Sequence, residues 1–70
     1  MELSIRVKTK NGVERKAKLS RYFNASCNRF MYAIKFYSDF HLFTHHAELR
    51  RYVLETYNVD IGERKDFWGL

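Results

Sequence analysis

Leu3, Ile5 and Val7 alternate with Ser4, Arg6 and Lys8, and the run closes on Lys10-Asn11-Gly12. A period of two places one set on each side of a strand, and Asn-Gly is the strongest short hairpin signal. The register then follows from the partner segment. A two-residue loop at Asn11-Gly12 pairs Val7 with Lys16, Ile5 with Lys18 and Leu3 with Ser20, which sets lysines beside the apolar side chains. A three-residue loop, Lys10-Asn11-Gly12, pairs Thr9 with Val13, Lys8 with Glu14, Ile5 with Ala17 and Leu3 with Leu19. A slip of one residue moves a whole side-chain set to the other face. The second register is therefore expected, with Gly12 in the left-handed position of a bulged loop. It leaves Arg15 on the apolar side near the loop and Arg6 opposite Lys16.

That repulsive pair bears on function. The outward face of the hairpin is Arg6, Lys8, Lys16 and Lys18, with Lys10 at the tip. Like charges facing each other across a ladder are destabilising, and an anionic ligand would relieve them. A solvated face that keeps the sheet edge from aggregating is the competing explanation. The charge map supports a ligand: residues 1–35 hold nine Lys/Arg against two acids, whereas residues 36–70 hold four against six, for a net charge of +5. Such asymmetry suggests a surface that faces a polyanion.

Residues 20–28, with Asn24, Ser26 and Asn28, are rich in turn formers and are expected to leave the hairpin. Residues 29–43 follow and hold six of the twelve aromatic side chains, Phe30, Tyr32, Phe36, Tyr37, Phe40 and Phe43. From Phe30 to Tyr37 the pattern alternates, which suits a third strand and its aromatic preference. A helical stripe through Leu19, Phe23, Cys27, Phe30, Ile34 and Tyr37 is the alternative. Asn24, Ser26 and Asn28 are poor helix residues, so the strand is favoured. Phe30, Tyr32, Ile34 and Phe36 then join Leu3, Ile5, Ala17 and Leu19 on the core side. Lys35 and Tyr37 fall on the basic side. An aromatic among lysines on a sheet suits single-stranded nucleic acid, which is held by stacking and phosphate pairing.

A helix is expected from about His45 to Tyr57, with Thr44 as N-cap. Leu49, Val53 and Tyr57 line one face, with His46 and Leu54 at its edges, and Asn58 is a left-handed terminator followed by Val59. The tail from Asp60 has no period. Its Phe67 and Trp68 are expected either to fold back as a lid on the core or to form an exposed anchor for a protein partner. The resulting architecture is α+β: a three-stranded antiparallel sheet, made of the N-terminal hairpin and a third strand, with a C-terminal helix packed on one face.

Seventy residues make one domain, residues 1–70, without repeats or linkers. A chain of this size buries about 60% of its unfolded surface, and one cysteine, Cys27, offers no internal disulfide. Residues 1–21 contain no apolar signal-peptide core, and no run approaches the roughly 18 apolar residues of a membrane helix. A soluble cytoplasmic protein is expected. His41, His45, His46 and Cys27 match no zinc spacing, and nothing around Cys27 equips it as a nucleophile. No enzymatic activity, metal or cofactor is expected. The sequence suggests a small regulatory or accessory module that binds DNA or RNA through Arg6, Lys8, Lys10, Lys16, Lys18 and Lys35, with Tyr37 stacking. The alternative is a protein-interaction module or small inhibitor that meets an acidic partner surface or uses Phe67 and Trp68. A homodimer is compatible with either.

Overall fold

The structure is a computed structural model and describes residues 1–69. Four strands, β1 (Glu2–Lys8), β2 (Glu14–Asn24), β3 (Arg29–Phe36) and β4 (Asp39–Phe43), are followed by two helices, α1 (His46–Tyr57) and α2 (Arg64–Trp68). The strands form one antiparallel sheet in sequence order, β1-β2-β3-β4.

The first hairpin takes the three-residue loop. Leu3 pairs with Leu19, Ile5 with Ala17, Arg6 with Lys16 and Lys8 with Glu14. The Thr9 N–H donates to the Val13 carbonyl at 3.0 Å, and Gly12 adopts φ +78°. The apolar pattern thus decided the register, and the glycine absorbed the turn.

β2 is longer than the turn-rich composition of residues 20–28 suggests. It runs through Asn24, because Tyr22 pairs with Met31 and Phe23 with Phe30. The Phe23 and Phe30 rings meet edge to face at 5.4 Å. The turn itself is confined to Ala25–Asn28, where Asn24 Oδ1 accepts from the Ser26 N–H at 3.0 Å and Asn28 takes φ +54°. Asn24 and Asn28, two of the expected turn formers, therefore do make the turn, but it occupies only the last four residues of the expected segment.

Residues 29–36 are a strand rather than a helix. The sheet has four strands and not three. Phe36 pairs with Asp39 across the two residues Tyr37 and Ser38, so the chain reverses and residues 39–43 return alongside β3. Tyr37, expected as the last strand residue on the basic side, instead opens this turn at φ +55°. A positive φ at the first loop residue belongs to the tight hairpin turns whose twist matches the strands. Its ring packs edge-on against Phe36, 4.7 Å between centroids, which offsets part of the cost of a left-handed tyrosine.

Val7, Ala17, Leu19, Tyr32 and Ile34 of the sheet form one buried cluster with Leu49 and Val53 of α1 and with Ile61 and Trp68 of the tail. Leu3, Ile5, Phe36, Phe43, Tyr52, Tyr57, Val59 and Phe67 pack around it. Removing a buried leucine or isoleucine side chain from such a cluster typically costs about 2–5 kcal/mol. For a small domain this is a large share of the total stability.

α1 is capped differently from the sequence reading. The N-cap is His45, which makes no side-chain capping bond, and Thr44 lies one residue earlier, its hydroxyl donating to Glu48 Oε1 at 3.2 Å. Asn58 ends the helix in the left-handed region at φ +60°, its N–H bonded to the Leu54 carbonyl at 2.9 Å. The tail folds back. Trp68 is 3% exposed, so it is no exposed anchor, and the half-buried Phe67 packs on the cluster beside it. No helix among the described residues is long and apolar enough to cross a membrane.

Candidate nucleic-acid interface

Residues paired across an antiparallel ladder point to the same side of the sheet. The three registers therefore define rows that cross it. Ser4, Lys18, Lys35 and Phe40 form one row over all four strands, and Glu2, Ser20, Ala33 and Leu42 form the next. Tyr22 and Met31 continue on the same side, and Arg6 with Lys16, then Lys8 with Glu14, extend it towards the first turn. Neighbouring rows lie about 7 Å apart along the strands and neighbouring strands about 5 Å apart.

This side is divided by chemistry. One end carries Arg6, Lys8, Lys16, Lys18 and Lys35, all exposed, with Lys10 in the adjoining loop. The other end is apolar. Tyr22, Phe40 and Leu42 are 41%, 58% and 45% exposed, and they surround the buried Met31 and Ala33. The cations oppose one another twice, Arg6 with Lys16 and Lys18 with Lys35. Among the described residues the one ion pair here joins Lys18 to Glu2 at 3.8 Å between exposed groups. A pair of this kind contributes about 0–1 kcal/mol and does not offset the repulsion of the rest.

Six expected contact residues, Arg6, Lys8, Lys10, Lys16, Lys18 and Lys35, thus lie on or beside one surface. Tyr37 does not, since its turn and its contact with Phe36 take the ring away from the ladder. Tyr22 and Phe40 occupy the aromatic positions instead. Both were legible in principle. Tyr22 continues the alternation Lys16, Lys18, Ser20, and Phe40 follows from pairing across a two-residue turn at Tyr37-Ser38. No family model, curated protein or solved structure matches this chain.

The histidines and Cys27 lie in different parts of the fold. Among the described residues no group of three or more His, Cys, Asp or Glu side chains is placed to hold a metal ion. Cys27 is exposed in the turn after β2. His41 stacks on Tyr52 with centroids 4.7 Å apart. His46 is buried between Tyr32 and Trp68.

The residues after α1 are fastened by Arg50. Its Nε donates to Asp60 Oδ1 at 2.8 Å, one Nη to Asp60 Oδ2 at 3.2 Å and the other Nη to Glu63 Oε1 at 3.1 Å. This fork, with the Gly62 N–H donating to Asp60 at 2.9 Å, lowers the Asp60 carboxyl to about 2. Arg50 and Arg51 line a groove with Phe30 and Tyr32. Those two residues share the side of Leu19 and Ile34, opposite the lysine rows.

Proposed function

We propose that the lysine-bearing side of the sheet binds single-stranded nucleic acid, in a non-enzymatic regulatory or accessory role, while α1 covers the opposite side. The row Lys18–Lys35–Phe40 supports this reading most directly. It sets two cations that repel each other next to an exposed aromatic ring on three adjacent strands. Phosphates neutralise the cations, and a base stacks on the ring. Arg6, Lys8, Lys10 and Lys16 continue the phosphate track, and Tyr22 offers a second ring.

The binding is electrostatic in its larger part and sequence-tolerant. Affinity for a single-stranded oligonucleotide falls with salt, and the logarithmic slope is about −0.7 per neutralised phosphate. Four or five contacts give a slope of about −3. Lys16→Glu combined with Lys18→Glu lowers the affinity and flattens the slope. A salt-independent affinity, or one unchanged in the double variant, refutes the reading.

A protein partner is the second reading, favoured by the exposure of Tyr22, Phe40 and Leu42 on the same side. An acidic surface would meet the lysines while an apolar contact covers these three. Isolation of the protein with its partners before and after nuclease treatment separates the two, since only a protein partner survives.

A further inference from the structure

The sheet ends at β1 on one side and at β4 on the other, and the two edges are built differently. Phe36 and Asp39 flank the two-residue turn at Tyr37-Ser38, where the first carbonyl of the turn accepts from the fourth N–H. They form a hydrogen-bonded pair, and such pairs alternate along an antiparallel ladder. Ile34 with His41 and Tyr32 with Phe43 repeat the pattern, whereas Lys35 with Phe40 and Ala33 with Leu42 fall between. The backbone N–H and C=O groups of Phe40 and Leu42 therefore point away from β3. Among the described residues no strand lies beyond them, and residues 39–42 are all exposed.

The same alternation identifies the outward groups of β1. Met1 and Arg21 exchange backbone bonds at 2.9 Å, and the Thr9 N–H donates to Val13. The odd-numbered residues thus face β2, and Glu2, Ser4, Arg6 and Lys8 carry the outward groups. Three of these four exposed side chains are charged, which is how sheet edges are ordinarily kept from pairing. The outward residues of β4 have no such guard. Phe40 and Leu42 are both apolar, 58% and 45% exposed, and β4 contains no lysine, proline or glycine.

We propose that a second copy of this chain pairs with the outer edge of β4, antiparallel, about a two-fold axis between the two His41 residues. This register sets Phe40 opposite Leu42 of the second copy and Leu42 opposite its Phe40. Both are hydrogen-bonded pairs, so four backbone bonds form and every outward group of Phe40 and Leu42 is satisfied. A shift of the axis to Phe40 or to Leu42 leaves one of the two residues facing a turn or the start of α1. Charge agrees with the two-fold arrangement. Asp39 is the one charged residue of β4, and it falls opposite Phe43 at the far end of the second strand, so no like charges meet. The apolar end of the lysine-bearing side, with Met31 and Ala33 behind Phe40 and Leu42, becomes continuous across the junction. Two-fold pairing also closes on itself, whereas β4 on β1 would propagate. The pairing rests on the edge alone and does not depend on nucleic-acid binding.

Sedimentation velocity and amide exchange of the full-length chain, free of nucleic acid, provide the test. With rising concentration the sedimenting species should pass from one chain to two, and the Phe40 and Leu42 amides should become protected in step. Leu42→Pro removes an outward N–H from an edge strand, a position that tolerates proline. The two-fold axis doubles the loss, so association should weaken at least about tenfold. If the proline variant loses its folded spectrum, Leu42→Lys supplies the missing guard and carries the test, with association again weakened. Lys16→Glu with Lys18→Glu should leave association unchanged. A chain still monomeric at millimolar concentration would leave the edge to a strand of another protein and overturn the proposal. Protection that appears on β1 instead, association indifferent to both Leu42 variants, or association that requires added nucleic acid would overturn it as well.

Discussion

Trp68 Nε1 donates to His46 Nδ1 across 3.1 Å, and the other ring nitrogen, His46 Nε2, bonds to the Gly62 carbonyl at 2.9 Å. An indole N–H only donates and a carbonyl only accepts. The imidazole is therefore fixed with its proton on Nε2. One side chain at the start of α1 thereby fastens both the loop at Gly62 and the final helix. Replacing it leaves a buried indole N–H without a partner. His46→Ala should destabilise the fold by about 3 kcal/mol, partly through this orphaned donor and partly through lost packing. Trp68→Phe keeps most of the ring and removes the donor as well, and should cost less. Urea unfolding monitored by far-UV circular dichroism ranks the two, and a Trp68→Phe cost as large as that of His46→Ala would show that the orphaned indole donor is not what makes the histidine change costly.

The first hairpin was legible because two independent signals, alternation from Leu3 and the Asn11-Gly12 turn, agree on one register. The third strand was legible from its alternation together with its aromatic side chains and the poor helix residues Asn24, Ser26 and Asn28 before it. The fourth was not. Asp39-Phe-His-Leu-Phe43 alternates no better than it would in a helix, and its hairpin depends on Tyr37 adopting a left-handed backbone that tyrosine seldom takes. Only the pairing across Phe36 and Asp39 reveals it. The basic part of the candidate interface is local in sequence, so charge counting found it. Its aromatic part is Tyr22, which continues the Lys16–Lys18 alternation along β2, and Phe40, which meets the lysines only once β4 pairs with β3.

Gly12 tests the register at its turn. Its φ is +78°, and a Cβ there would meet nothing within 4 Å. Gly12→Ala therefore creates no clash and costs backbone strain alone, about 1 kcal/mol. Gly12→Asn should cost less, because asparagine tolerates the left-handed region. Chemical denaturation of the two variants checks the order. A neutral alanine variant would mean that the loop relaxes out of the left-handed conformation.

Asp60 sets a pH dependence with a defined sign. Its carboxyl is lowered from 3.8 to about 2, chiefly by the hydrogen bond from Arg50 and then by that from the Gly62 N–H. A depressed folded value means that the charged form is the one the fold favours. The contribution is complete above the unfolded value and is lost as pH falls from about 4 towards 2. A carboxyl carbon titration should find the Asp60 midpoint near 2, and Arg50→Gln should return it towards 3.8. An unmoved midpoint in that variant would assign the shift to the backbone bond instead.

Lys35 and Phe40 are ladder partners on the proposed nucleic-acid face, and they should separate stability from binding in opposite ways. Lys35 opposes Lys18 across β2 and β3, so Lys35→Glu replaces a repulsive pair with an attractive one. It should stabilise the fold by about 0.5 kcal/mol at low salt, within the range of cross-strand pairs, and the gain should shrink as salt rises. The same substitution should weaken binding to a single-stranded oligonucleotide and reduce the salt slope by about 0.7. Phe40 is 58% exposed, so Phe40→Ala removes little from the core and should shift stability by no more than about 0.5 kcal/mol. If a base stacks on its ring, the loss in binding should be about 1–3 kcal/mol with the salt slope unchanged. Fluorescence anisotropy across a salt series, paired with urea unfolding, measures both quantities. A Phe40 variant that binds like the parent would remove the aromatic from the interface and leave a purely ionic surface. A Lys35→Glu variant that is more stable and binds equally well would leave the lysine rows as a solvated face alone.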